Sequence, residues 1–342
     1  MRSMFKVNLF IIAELSANHN NDLDLAVKTI ESMAKSGADA VKVQTFTADS
    51  LTLDVDNEYF GPRKEGLWKG RTLYDLYTEG ALPYEWHETL KKAAIKNGLL
   101  FFSSPFAKKD VDFLETLDVP MYKIASFEIT DIPLIEYVAS KNKPIIISTG
   151  IADKEDIQLA LETCRKVGNN DITLLKCTSE YPATAEMANL LAIPDLKARF
   201  NVRVGLSDHT MGSTVPIAAV ALGATVIEKH FILERNIGGI DSSFSMEPKE
   251  FAEMVESCKQ AYSALGKVSY ELTNRNRIRR RSLFVAEDIK EGEIITENNV
   301  KSVRPGNGLH PKYLNDILGK TVNKHLNKGE PFSLEHIDNK DN

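Results

Sequence analysis

Cysteine is scarce in this chain: Cys164, Cys177 and Cys258 are the only three among 342 residues. The number is odd, the spacing is wide and no CxxC occurs. That excludes a disulfide scaffold or a zinc ribbon and fits buried thiols in a reducing compartment. Long apolar runs are also missing. The run Leu9–Ala13 stops at Glu14, too short for a signal peptide or a membrane span, so a cytoplasmic location is expected. There is no excess of positive charge. A net charge of −6 argues against a nucleic-acid-binding surface spread over the protein, while leaving room for a local basic pocket. No low-complexity segment occurs, and no GxGxxG follows the first strand-like run.

What is present is ordinary globular composition, 43% hydrophobic and 26% charged, in a length that suits one large domain and a small one. Near-continuous apolar runs recur along the chain. They read as strands over 9–15, 38–45, 99–106, 120–126, 144–150, 172–179, 202–209 and 225–231. Helical periodicity lies between most of them, over 23–36, 110–117, 134–141, 153–167, 188–200 and 213–222. Such alternation predicts a parallel sheet buried on both faces. At about 260 residues, a closed (β/α)8 TIM barrel is the expected solution, with an open doubly wound sheet as the alternative.

Each strand turns polar near its C-terminal end. The residues are Glu14; Lys42 and Gln44; Ser103 and Ser104; Lys123 and Ser126; Ser148; Lys176 and Thr178; Ser207, Asp208 and His209; Glu228 and His230. In a barrel these ends converge on one mouth. The stretch VGLSDHT to VIEKHF is a strand–helix–strand unit, so His209 and His230 are expected side by side at matched strand ends. Two neutral imidazoles with Asp208 and Glu228 nearby suit a divalent metal. Lys42, Lys123 and Lys176 inside apolar strands need anionic partners. With the serines they predict a site for a phosphorylated or carboxylated substrate; Lys176 fits least well, because Thr178 shares its face.

The connection from Phe46 to about Asn97 is too long for a simple repeat and reads as a lid or specificity loop. The large domain is expected over 1–266, a basic, polar linker over 267–281 and a small β-rich unit over 282–342, with the tail after Ile337 frayed. Arg304, in an RPGNG loop of the small unit, could reach a carboxylate or a sugar.

The motifs IIAELSANHNN, DAVKVQT, FFSSPF, YKIAS, IISTG, LLKCTSEYPA, VGLSDHT and VIEKHF, then RRSLFVAEDIKEGE and SVRPGNGL, resemble the sialic acid synthase family from Leu9 to about Ile337. AELSANHN, LWKGRTLYDLY and CTSEYPA look closest to its pseudaminic acid branch. The resemblance implies a barrel followed by a C-terminal antifreeze-like (SAF) domain. It implies a homodimer in which each small domain reaches over the partner's active site. It also implies condensation of phosphoenolpyruvate with the open-chain aldehyde of an N-acetylated amino sugar, assisted by a divalent metal such as Mn2+, Mg2+ or Co2+. For this branch the sugar would be 2,4-diacetamido-2,4,6-trideoxy-L-altrose.

Carried over residue by residue, His209 and His230 match the metal ligands and Glu14 the base that directs water. Lys42, Lys123, Ser104, Ser126, Ser148 and Ser207 match the residues that hold phosphoenolpyruvate. Gln44, Tyr181, Glu228 and Asp241 match sugar or metal-shell positions, and Arg304 matches an arginine donated by the partner. Ser179 replaces the Asn usual in the N-acetylneuraminate branch, and LSAN replaces its glycine-containing turn. Both bear on the sugar, so N-acetylneuraminate or legionaminate synthesis is an alternative with the same mechanism. A Schiff-base aldolase using Lys123 or Lys176 is more distant. So is a non-catalytic sugar-binding protein.

Overall fold

The computed structural model describes residues 9–66 and 68–338. The chain divides into two compact units, 1–266 and 267–342. In the first, β1 (Phe10–Glu14), α1 (Leu23–Lys35) and β2 (Ala40–Thr45) begin the alternation. Asp22 starts α1 by accepting the Leu25 N–H, and Gly37 ends it at φ +88°, a conformation costly for any other residue. The long connection then holds α2 (Ala48–Leu51), α3 (Leu73–Gly80) and α4 (His87–Lys96). Next come β3 (Leu100–Pro105), α5 (Lys108–Thr116), β4 (Tyr122–Ile124), α6 (Ile132–Ala139), β5 (Ile145–Ser148), α7 (Lys154–Lys166) and β6 (Ile172–Cys177). α8 (Ala192–Phe200), β7 (Arg203–Asp208), α9 (Thr214–Ala221), β8 (Val226–His230) and α10 (Pro248–Leu265) complete the unit.

The eight strands close into a parallel barrel in sequence order, with β8 paired to β1. The strands are shorter than the apolar runs by up to two residues at either end. α8 starts at Ala192, not Ala188: a 3-10 turn over Ala185–Ala188 ends at Asn189 in a left-handed conformation, which breaks the helix. Four helices of this unit lie outside the sequence expectation: α2, α3, α4 and α10. α4 occupies the place of the second repeat's helix, so the true insertion spans only 46–86. α10, with Pro248 in its first turn, supplies the last helix.

Side-chain alternation sorts the barrel into two cores. Outward residues such as Ile11, Val41, Phe101, Ile124, Ile147, Leu174 and Ile227 pack under the helices. Inward residues Phe10, Ile12, Ala40, Phe102, Met121, Ile146, Leu175 and Val226 fill the axis. Gly205 is inward too; a Cβ there would lie 2.4 Å from the Val226 carbonyl oxygen and 2.6 Å from Leu175. This apolar layer closes the barrel below the polar strand ends.

The second unit has α11 (Asn274–Ile278), an antiparallel pair β9 (Ser282–Val285) and β10 (Val300–Val303), and α12 (Leu314–Ile317). Its own small core includes Leu283, Val285, Val300, Val322, Leu326 and Phe332. The segment 267–281, expected as a linker, divides with this unit and carries α11. The tail beyond Asp338, expected to be frayed, lies outside the described residues.

Candidate active site

The inward face of the strand ends carries a buried polar layer directly above the apolar plug. Glu14 is the register partner of both Lys42 on β2 and His230 on β8. Lys42 Nζ lies 2.5 Å from Glu14 Oε2 and 3.7 Å from Glu228 Oε1. It also donates to Ser104 Oγ at 3.4 Å. Lys123 Nζ stands 3.4 Å from the same Glu228 oxygen, and Ser207 Oγ donates to it at 3.2 Å. Two lysines and two glutamates thus alternate along one chain of contacts, Glu14–Lys42–Glu228–Lys123, all buried.

Their proton affinities are pushed apart. Burial raises the Glu14 carboxyl, and the Glu228 charge adds to this against Lys42. Burial also acts to raise Glu228, but Lys123 and Lys42 outweigh it and hold Glu228 below the carboxylate range. Burial pulls Lys123 down. For Lys42 the same pull is overcome by Glu14 and Glu228, so its net shift is upward. In such a pair one carboxyl, Glu14, can exchange a proton while the other, Glu228, stays ionised.

Above this layer, His209 and His230 face each other with ring centroids 5.2 Å apart. His209 Nδ1 is 2.8 Å from the Thr178 carbonyl oxygen and therefore donates there, so the lone pair of the neutral ring is on Nε2; the ring also hydrogen-bonds the Cys177 thiol. Burial, with His209 and the lysines adding to it, holds His230 well below its ordinary pKa, so its ring is neutral. His230 Nδ1 is buried without a hydrogen-bond partner, 4.0 Å from Asp241 Oδ2. Ser16, buried at φ +48°, hydrogen-bonds Asp241 through its hydroxyl and accepts from Gln44 Nε2 at 3.1 Å. Gln44 Nε2 also donates to Glu14 Oε1 at 3.2 Å. Tyr181 packs on His209 with a centroid distance of 4.3 Å and on Phe244 at 5.1 Å. Among the described residues, no group of three or more His, Cys, Asp or Glu side chains has metal-holding geometry. Protein atoms therefore offer two imidazoles.

The structure thus brings Glu14, Lys42, Gln44, Ser104, Lys123, Ser207, Glu228, His209, His230, Tyr181 and Asp241 to one mouth. Ser126 Oγ accepts the Gly150 N–H at 3.1 Å there, and Ser148 Oγ is buried without a partner. Three expectations need correction. Lys176 shares the outward face of Leu174; its Nζ is 2.6 Å from the Cys177 carbonyl oxygen and it does not join the lysine pair. Asp208 also faces outward, where it pairs with Lys229 at 2.5 Å, and does not flank the histidines. Ser103 is turned toward Thr45 Oγ1, 2.6 Å away on the outer face. Arg304 is exposed just after β10, on the second unit.

Three residues of the mouth escape sequence reasoning. Cys177 points inward from β6, and an added Cβ at Gly150 would lie 3.3 Å from its sulfur. Burial acts to raise this thiol, but His209 and Ser126 bring it down to about 7. Glu128, on the 3-10 turn Ser126–Glu128, has a buried carboxylate oxygen without a partner, and burial pushes it up to about 7. Trp68, on the insertion, lies 6.4 Å from the Tyr181 ring, and its indole nitrogen is buried without a partner. Only strand alternation could have signalled Cys177; the other two sit on turns without periodicity.

The chain is 50% identical to a pseudaminic acid synthase of Campylobacter jejuni over 325 residues, covering 94% of both chains. It is 48% identical to the pseudaminic acid synthase of Helicobacter pylori over 332 residues, covering 96% of this chain and 97% of that one. A crystal structure of the N-acetylneuraminic acid synthetase from Leptospira borgpetersenii in complex with citrate matches with a TM-score of 0.70 and 34% identity. It covers 79% of this chain and 89% of that one. The SAF domain profile matches residues 280–338. The NeuB family profile matches residues 29–270, more than half of the sequence, and the chain belongs to the NeuB family.

Proposed function

We propose that this protein is a pseudaminic acid synthase. It condenses phosphoenolpyruvate with 2,4-diacetamido-2,4,6-trideoxy-L-altrose and water, giving pseudaminate and phosphate. C3 of phosphoenolpyruvate forms the new carbon–carbon bond to the sugar aldehyde, water adds at C2, and the C2–O bond to phosphate breaks. The observation that carries this reading is the buried Glu14–Lys42–Glu228–Lys123 layer beneath the His209–His230 pair. The names of the relatives at 48–50% identity support the branch.

In this reading Lys42 and Lys123 supply charge to the phosphate and carboxylate of phosphoenolpyruvate, and Ser104, Ser126, Ser148 and Ser207 supply direction. Such contacts act strongly in a dry site. Glu14 takes the proton of the water that adds at C2. Gln44 holds Glu14 and, with Tyr181 and Asp241, lines the sugar side, while Glu228 sits between the two lysines below it. The lone pair left on His209 and the unpartnered Nδ1 of neutral His230 fit a divalent cation, Mn2+, Mg2+ or Co2+, with water and substrate as further ligands. When bound, the cation polarises the aldehyde oxygen as a Lewis acid. The insertion over 46–86 acts as a specificity loop. The protein works in the cytoplasm as a homodimer, in which the partner copy's SAF domain supplies Arg304.

The test is phosphate release from phosphoenolpyruvate with Mn2+, run in parallel with the altrose-derived sugar, N-acetylmannosamine and the legionaminate precursor. Release with the first sugar, abolished by chelator and restored by Mn2+, is expected. Release with another sugar alone would keep the mechanism and overturn the branch. Full activity under chelator would overturn the metal assignment.

A further inference from the structure

β7 and β8 pair in register at Leu206–Ile227, Ser207–Glu228 and Asp208–Lys229. Asp208 and Lys229 are therefore the last paired residues, and each is followed directly by one of the two histidines. Both side chains point away from the barrel axis, opposite to Ser207 and Glu228. Lys229 Nζ lies 2.5 Å from Asp208 Oδ2 and also donates to the Thr210 carbonyl oxygen. Asp208 in turn accepts the Thr210 N–H at 3.0 Å and its hydroxyl at 3.1 Å. Asp208, Thr210 and Lys229 are all buried. The turn 208–210 is thus tied to β8 on both flanks of His209, and the Ala183 N–H holds the His209 carbonyl at 3.1 Å.

A buried ion pair is a poor way to gain stability, since apolar residues of similar volume would serve as well or better. This pair gains geometry instead, because its hydrogen bonds fix one strand tip against the next. We propose that Asp208 and Lys229 are positioning residues that set the separation and aim of His209 and His230, and thereby the affinity of that pair for a divalent cation. The inference rests on the metal assignment above. It adds a shell of residues that touch neither substrate nor cation.

The experiment measures Mn2+ binding to the full chain by electron paramagnetic resonance, for wild type, Asp208→Asn and the double variant Asp208→Asn/Lys229→Met. The double variant removes both charges, so no lone buried charge remains. It should stay folded by circular dichroism, while its Mn2+ dissociation constant rises roughly 10–100-fold, the usual effect of losing residues behind metal ligands. Asp208→Asn keeps only one of the two acceptor oxygens that serve Thr210 and Lys229, and it should weaken binding too. A folded double variant with wild-type Mn2+ affinity overturns the proposal. If the double variant unfolds, Asp208→Asn decides in the same way. A wild type that binds no cation refutes the metal assignment instead. The histidine side-chain 15N shifts then decide: displaced in the variants they support the positioning role, unchanged they overturn it.

Discussion

Lys42 Nζ lies 2.5 Å from Glu14 Oε2, across the β1–β2 register, with both side chains buried. Burial keeps the Glu14 carboxyl raised despite that contact. A base must be ionised to act, so activity should rise with pH through a value above the ordinary carboxylate range. Glu14→Gln should lower kcat by about 10^2–10^4-fold, the range of a lost general base. Steady-state phosphate release across pH checks both; a variant within tenfold of wild type would remove Glu14 from the chemistry.

Lys123 and Lys176 look alike in sequence but face opposite sides of the barrel wall. Lys123→Met should raise KM for phosphoenolpyruvate or lower kcat by at least about 100-fold, as expected for a charge-assisted contact in a dry site. Lys176→Met should change neither by more than about threefold, in line with substitutions away from the machinery. Equal losses in the two variants would contradict the assigned faces. Borohydride with pyruvate should trap no adduct on either lysine.

Glu128, pushed up to about 7 by burial, is half protonated near neutrality at the mouth. The pH profile of kcat/KM for the sugar should carry an inflection near 7 that is missing in Glu128→Gln. An identical inflection in the variant would assign it to another group, with Cys177 the next to test.

His87, the first residue of α4, is 2.7 Å from Thr45 Oγ1 and held down at about 4 by burial, against 6.5 when unburied. Its folded pKa is depressed, so its contribution is present above pH 6.5 and is lost as pH falls toward about 4. Between pH 8 and pH 5 that loss is about 2 kcal/mol. Urea unfolding of wild type and His87→Gln at both pH values tests it. The stability difference between the two pH values should shrink by about that amount in the variant. An unchanged difference would show that His87 titrates normally.

Strand alternation made most of the site readable from sequence. Lys42 with Gln44, Ser207 with His209, and Glu228 with His230 share the inward face by a period of two, and the matched ends of β7 and β8 put the histidines together. The same rule turns Asp208 outward, yet its place beside His209 in the sequence suggested a ligand. Lys176 faces outward, but a polar residue near a strand end looks functional from either face. Cys177 faces the site, yet its thiol reads as core in the sequence. α4 went unrecognised because aromatic and charged residues upstream blurred its period, and α10 because it follows the last strand. Glu128 and Trp68 could not be inferred, since turns place side chains by tertiary contact alone.

The apolar plug of Phe10, Ile12, Phe102, Ile146 and Leu175 leaves the barrel with a single open end. In the proposed arrangement phosphoenolpyruvate lies on the lysine layer and the sugar above it, so the site fills like a well. The deeper molecule must enter first, and nothing placed beneath the sugar can leave before it. The order of binding would then be a property of the scaffold. Dead-end inhibition patterns should show phosphoenolpyruvate as the obligatory first substrate.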